Sequence, residues 1–299
     1  MVNRREFVRN SAIAALAAAV PVPVWGANPG QMMTRKFPGT EESLAVIGLG
    51  NAQPFAAGDL EKSGQLLDIL MERGGGYVDT SGRARFTIGQ IMAERQAHEQ
   101  LFLGTYIDGM DLPSMRDEIR SVQDGQGGGE LDLVITRNPK AMLARREEFW
   151  QLREDGLTRH VGVGRPNKRF YPDIMKLMEE GIVDLIQVNY SMMEPEAADE
   201  ILPMAMEKDI AVIINRPFIN GDYFGMVSGH ELPEWAKVFD CETWAQFSLK
   251  FILAHPAVNC VLTETSNPRH AIDNLGAGVG ALPDCAMQAR MLAVIQDLT

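Results

Sequence analysis

The sequence predicts an α/β protein of one domain, a (β/α)8 TIM barrel, behind an N-terminal export segment. Short apolar strand candidates alternate with longer helical patterns in eight strand-then-helix units. Most recur at roughly 25–30 residues, the spacing of a helix that crosses back over a parallel strand. The strands are apolar at successive positions, which marks burial on both faces. The competing architecture, an open doubly wound sheet, normally shows a glycine fingerprint after its first strand. Here Gly48-Leu49-Gly50-Asn51-Ala52-Gln53 lacks the third glycine.

The first unit joins a strand at Leu44–Gly48 to a helix from Leu60 to Arg73, with Leu66, Leu67, Leu70 and Met71 on one face. Tyr77-Val78-Asp79 precedes a helix from Phe86 to Arg95, and Leu101–Thr105 precedes one from Ser114 to Val122. Leu131–Ile135 leads to Lys140–Asp155, His160–Val163 to Pro172–Glu180, and Val183–Val188 to Glu194–Lys208. Ala211–Ile214 runs through a long loop, Asn220 to Asp240, to a helix at Thr243–Ala254. Asn259–Leu262 precedes a helix after Asn267-Pro268, and Gln288–Leu298 closes the chain. Residues 28–40, rich in Pro, Gly and Thr, read as a linker, so the barrel is expected over 41–299.

Composition narrows the function classes. The chain has 299 residues, 45% of them hydrophobic, and a formal charge of −12, the profile of a soluble globular protein. An acidic chain makes a poor general nucleic-acid surface, because neutralising phosphates requires a basic excess. Residues 1–27 stand apart: Asn3-Arg4-Arg5-Glu6-Phe7-Val8-Arg9 precedes an uncharged, alanine-rich run from Ser11 to Val24. This resembles a twin-arginine export signal, which implies the twin-arginine machinery as a partner and a periplasmic destination. A basic-headed cytoplasmic helix is the alternative. The run is too short and weakly apolar for a membrane span, so no transmembrane anchor is expected. Cys241, Cys260 and Cys285 lack metal-ligand spacing and read as small buried residues, with one disulfide left open.

Five strings in order carry a resemblance: Ile47-Gly48-Leu49-Gly50, Gly76-Tyr77-Val78-Asp79-Thr80-Ser81, Gln187-Val188-Asn189-Tyr190-Ser191, Asn215-Arg216-Pro217-Phe218, and Thr265-Ser266-Asn267-Pro268-Arg269-His270 with Asp273-Asn274-Leu275-Gly276-Ala277. From about Ala45 to Leu298 the chain resembles the aldo-keto reductases, in particular an exported bacterial branch. The resemblance implies NADP(H) as cofactor and a catalytic tetrad of aspartate, tyrosine, lysine and histidine. In it the tyrosine protonates a carbonyl oxygen as hydride arrives, which demands a tuned pKa within hydrogen-bond reach.

Only the aspartate stands where the family has it, as Asp79. Ser81 runs directly into Gly82-Arg83-Ala84, so the tyrosine is missing with about three residues of loop. The lysine position holds Tyr106, and the histidine position holds Arg137 before Asn138-Pro139. On the cofactor side, the resemblance implies contacts from Gln187 and Tyr190 near the nicotinamide, and from Arg216. It also implies Ser266 and Arg269 at a 2′-phosphate and Asn274 at the adenine. At the end of the fifth strand, however, Gly164-Arg165 replaces the usual hydroxyl and amide pair.

Three functions follow as expectations. One is a repurposed or catalytically silent homologue that keeps part of an NADP(H) site. A second is an active NADPH-dependent reductase of small carbonyl compounds, with Tyr106 as acid, its pKa depressed by Arg137, and Asp79 as orienting base. The third is a periplasmic protein that binds an anionic ligand through Arg137, Arg165 and Arg83. Arg137 is expected to pair with Asp79, and the loop at 220–240 either covers the pocket or packs flat on the barrel.

Overall fold

A computed structural model describes residues 30–298, apart from Met110 and Pro166. The proposed export segment therefore lies outside the described residues. Eight parallel strands close into a barrel in the order β10-β3-β4-β5-β6-β7-β8-β9. They are β3 (Ile47–Leu49), β4 (Tyr77–Thr80), β5 (Phe102–Tyr106), β6 (Leu131–Thr136), β7 (Thr158–Gly164), β8 (Leu185–Asn189), β9 (Ala211–Asn215) and β10 (Cys260–Thr263). The barrel expected from the alternating units is the one observed.

Its start differs from the expectation. Leu44 belongs to β2 (Ser43–Ala45), which pairs antiparallel with β1 (Thr34–Lys36) and so turns part of the expected linker into a hairpin. Val46 is the bend between hairpin and barrel: its N–H donates to Met33 and its carbonyl accepts from Val261. The hairpin plugs the N-terminal end of the barrel. Phe37 and Leu44 join the interior cluster, and Phe37 stacks on His160 at 4.3 Å. Arg35 fastens it by donating to the carbonyls of Leu253, His255 and Val258 just beyond the helix Trp244–Leu253.

Strand parity decides what faces the axis. Tyr77, Tyr106, Leu133, Ile135, Leu185, Ala211, Ile213, Cys260 and Leu262 fill the interior. Their neighbours Val78, Leu103, Val134, Val161, Ile186, Val212 and Val261 face the helices. Both sets are apolar, which is why the strands read as continuous runs rather than alternating ones.

Helix starts are written locally. Asp59 accepts from the Lys62 N–H, Asp111 and Ser114 form a capping box, and Asn138 and Asn267 each cap a helix whose first residue is proline. Two expected helices are shorter. Lys140–Asp155 breaks at Arg145 (φ −128°) into Pro139–Ala144 and Arg146–Glu154, and only Ile201–Glu207 of Glu194–Lys208 is α-helical.

The 220–240 loop contains a helix, Asp222–Val227, and a 3-10 turn, Glu234–Phe239. It packs flat for most of its length. Trp235 lies on Phe247 (5.9 Å) and under the Arg290 guanidinium (4.2 Å), while Tyr223 donates to the Trp244 carbonyl (3.0 Å). Cys241 and Cys260 are buried as expected; Cys285 is exposed, and all three are free thiols. No described helix is long and apolar enough to cross a membrane.

Candidate active site

In closed barrels of this kind chemistry gathers at the C-terminal ends of the strands. Asp79 sits at that end of β4 with 8% of its surface exposed, and its Oδ1 has no hydrogen-bond partner. Burial pushes its carboxyl up to about 8; the Gln187 side chain and Arg137 pull it down by less, and Glu264 adds to the rise. Burial thus favours the uncharged carboxylic acid at Asp79.

The expected Asp79–Arg137 pair does not form. The Arg137 guanidinium lies flat over the Tyr106 ring, 3.7 Å from its centroid, and its ion pair is with the exposed Asp108 at 3.8 Å. A bulky aromatic below it and an uncharged carboxyl beside it leave less to attract the guanidinium inward than the exposed aspartate offers.

Tyr106 points down the barrel axis rather than out of the mouth. Its hydroxyl donates to Gln187 Oε1, in space open because residue 164 is glycine: a Cβ there would lie 2.2 Å from the hydroxyl. Tyr77 repeats the device one layer away, its hydroxyl 2.2 Å from a Cβ on Gly104 and accepting from Gln187 Nε2 at 3.3 Å. Asn215 Nδ2 completes the group, 3.5 Å from Gln187 Oε1. Burial first, then Asp79, push the Tyr106 phenol well above its ordinary value, and Arg137 and Arg165 offset only part of this. The expected depression of its pKa by Arg137 is thus reversed, because the phenol lies where water cannot solvate its anion.

The implied cofactor contacts divide in two. Gln187 is fully buried with its amide engaged by both tyrosines. Tyr190 faces the helix layer, against Phe251 (5.9 Å) and edge-on to His255 (5.5 Å), not the mouth. Arg216 is held by Glu194 (3.6 Å) and Asn220 (3.1 Å). Its left-handed backbone is followed by the same conformation at Ile219, a costly one for a β-branched residue. At the other end Ser266 and Arg269 are exposed at the N-terminus of Pro268–Gly276, a setting that favours phosphate. Asn274 is 4% exposed, on the buried side of the helix Pro268–Gly276.

A scan against protein families decides the kinship: the aldo/keto reductase family matches over residues 46–290. The chain belongs to the aldo/keto reductase family. No curated protein matches its sequence. Among solved structures, an aldo/keto reductase from Klebsiella pneumoniae in complex with NADP and acetate is 17% identical, with a TM-score of 0.74 over 89% of this chain and 95% of that one. The same organism's enzyme in complex with NADPH gives 0.72 at 17% identity, covering 91% and 95%. The holo form of aldo-keto reductase AKR11C1 from Bacillus halodurans gives 0.72 at 17% identity, covering 90% and 97%.

Within this aldo/keto reductase barrel, two cavities of about 310 and 540 Å³ open at the N-terminal end, one beside Gln126 and Gly128, the other beneath Phe37 and His160. Neither touches Asp79. The sequence reading missed Tyr77, Gly104 and Gly164 as a filled interior, and Asn189 and Glu264 as mouth residues. A period of two counted from Asp79 along each strand was the signal that could have found them.

Proposed function

We propose that this aldo/keto reductase homologue has lost ordinary NADPH-dependent carbonyl reduction and uses its barrel mouth as a ligand pocket, acting in the periplasm after export. The supporting observation is that the Tyr106 hydroxyl and the Gln187 amide satisfy each other inside the closed barrel. A proton donor must reach the substrate oxygen, and losing one general acid alone costs about 10²–10⁴-fold. The residues at the nicotinamide end do not fit the cofactor as they stand. Ser266 and Arg269 fit the phosphate of its adenosine end, so residual NADP(H) affinity is compatible with the reading.

The experiment is a turnover assay with NADPH and simple aldehydes, followed by absorbance, together with a fluorescence titration of NADPH. The expected result is no turnover above background. Reduction at rates ordinary for the family would overturn the proposal, and Tyr106→Phe would then show whether that tyrosine is the acid. Cell fractionation of the full chain, with Arg4 and Arg5 both replaced by Lys, tests the export part. Unchanged distribution between compartments would refute it.

A further inference from the structure

Several polar groups at the mouth are left without partners by the rest of the chain. Arg165, just past β7, lies over the Phe170 ring (4.7 Å), and its buried Nε has no hydrogen-bond partner among the described residues. Arg137, just past β6, lies over the Tyr106 ring, paired loosely with the exposed Asp108 and near enough to Asp79 to act on it. On β8, Asn189 is 7% exposed and its Nδ2 donates to Glu194 Oε2 at 2.7 Å. A carboxylate facing that nitrogen can only accept, so the amide orientation is fixed and Oδ1 is an acceptor. That Oδ1 is buried and unpartnered.

Register sets the three at the ends of consecutive strands, and Arg137 and Arg165 both act on the Tyr106 phenol. Thr136 pairs with Val163 and Gly164 with Gln187, so Arg137, Arg165 and Asn189 end three consecutive strands. Neighbouring strands are about 4.8 Å apart. Guanidinium groups stacked on rings keep their in-plane N–H groups free, which is the geometry that grips a carboxylate. Asn189 Oδ1 asks instead for a donor such as a hydroxyl. A simple anion would leave the amide unused, and a neutral sugar would leave the arginines unused. A buried polar group left unpaired is destabilising, so a ligand that pairs each of them is favoured.

We propose that the barrel mouth binds a small hydroxylated carboxylate, with its carboxylate on Arg137 and Arg165 and a hydroxyl donating to Asn189 Oδ1. Burial favours the uncharged form of Asp79, which lessens its repulsion of such a ligand and leaves Glu264 as the neighbouring carboxylate. The inference rests on the reading that the mouth is a pocket rather than a reductase centre. Its test uses no NADPH, so its failure would leave the turnover result standing.

The full folded barrel would be titrated calorimetrically with gluconate, and separately with glucose, propionate and inorganic phosphate. Gluconate is expected to bind at least tenfold tighter than the other three. Arg165→Ala should weaken gluconate at least tenfold, with Arg165→Lys recovering part of the loss. Asn189→Ala should bring gluconate down to the affinity of propionate, and thermal melts would establish that each variant is folded. Equal affinity for gluconate and propionate, tighter binding of phosphate, no gluconate binding, or an unaffected Arg165→Ala would each overturn the proposal.

Discussion

The floor of this barrel and the β6–β8 side of its mouth treat arginine differently. At the floor, Arg159 reaches Glu42 and Asp132, Arg153 meets Asp184 at 2.9 Å, and Arg35 is spent on three backbone carbonyls. At the mouth, Arg137 and Arg165 lie on aromatic rings, and acceptors nearby stay unpartnered. Charges that neutralise one another hold the fold; charges parked on rings await something else. The floor also carries the two described cavities, neither of which touches Asp79.

The largest expected effect tests the mouth through Asp79. Its carboxyl is held near 8 against an ordinary 3.8, so the folded protein binds a proton there that the unfolded chain releases between those values. Stability from this group is fully present below about pH 4 and lost as pH rises through 8. By linkage the full loss is on the order of 6 kcal/mol. Denaturant unfolding across pH 4 to 9 should show this fall in the wild type. It should be absent in Asp79→Asn, and parallel curves would remove Asp79 as its source.

The floor gives the next effect. Arg35→Ala strips the donors from three carbonyls and frees the hairpin, so chemical denaturation should register a loss of about 3 kcal/mol. Affinity at the mouth should not change. A coupled loss of ligand binding would break the separation between the two ends.

Gly164→Ala comes third. Its Cβ would displace the Tyr106 ring, at about 1–3 kcal/mol of overpacking, measurable as a lowered Tm. The same substitution in a Tyr106→Phe background should cost less, because the hydroxyl it strikes is gone. Equal costs would show that the clash lies elsewhere. Tyr106→Phe alone should lower stability by only about 1 kcal/mol, since Asn215 still donates to Gln187. A loss of several kcal/mol would mean that the tyrosine carries more of the interior than its single hydrogen bond implies.

The barrel was legible because its signal is long-range and repetitive: paired apolar runs and capped helices recur around the whole ring. The hairpin was not, because Thr34–Lys36 is a polar, exposed strand whose partner reads as the start of the next one. At the site, motif order placed Asp79 at the end of its strand and pointed to Tyr106 and Arg137 as its neighbours across the barrel. It could not show direction. Whether Arg137 turns to Asp79 or lies on Tyr106 depends on which group the interior leaves charged. That follows from burial across the ring, not from spacing along the chain. Tyr190 went astray for a simpler reason: it lies one residue past the inward-facing Asn189, so parity sends it to the helices.

The glycines beneath the tyrosines have a consequence for substitution at either ring. Tyr77 and Gly104, like Tyr106 and Gly164, are single pieces divided between two strands, each ring seated where its partner lacks a side chain. A smaller residue at 77 or 106 would empty a seat that the glycine opposite cannot fill. Exchanges here must come in pairs.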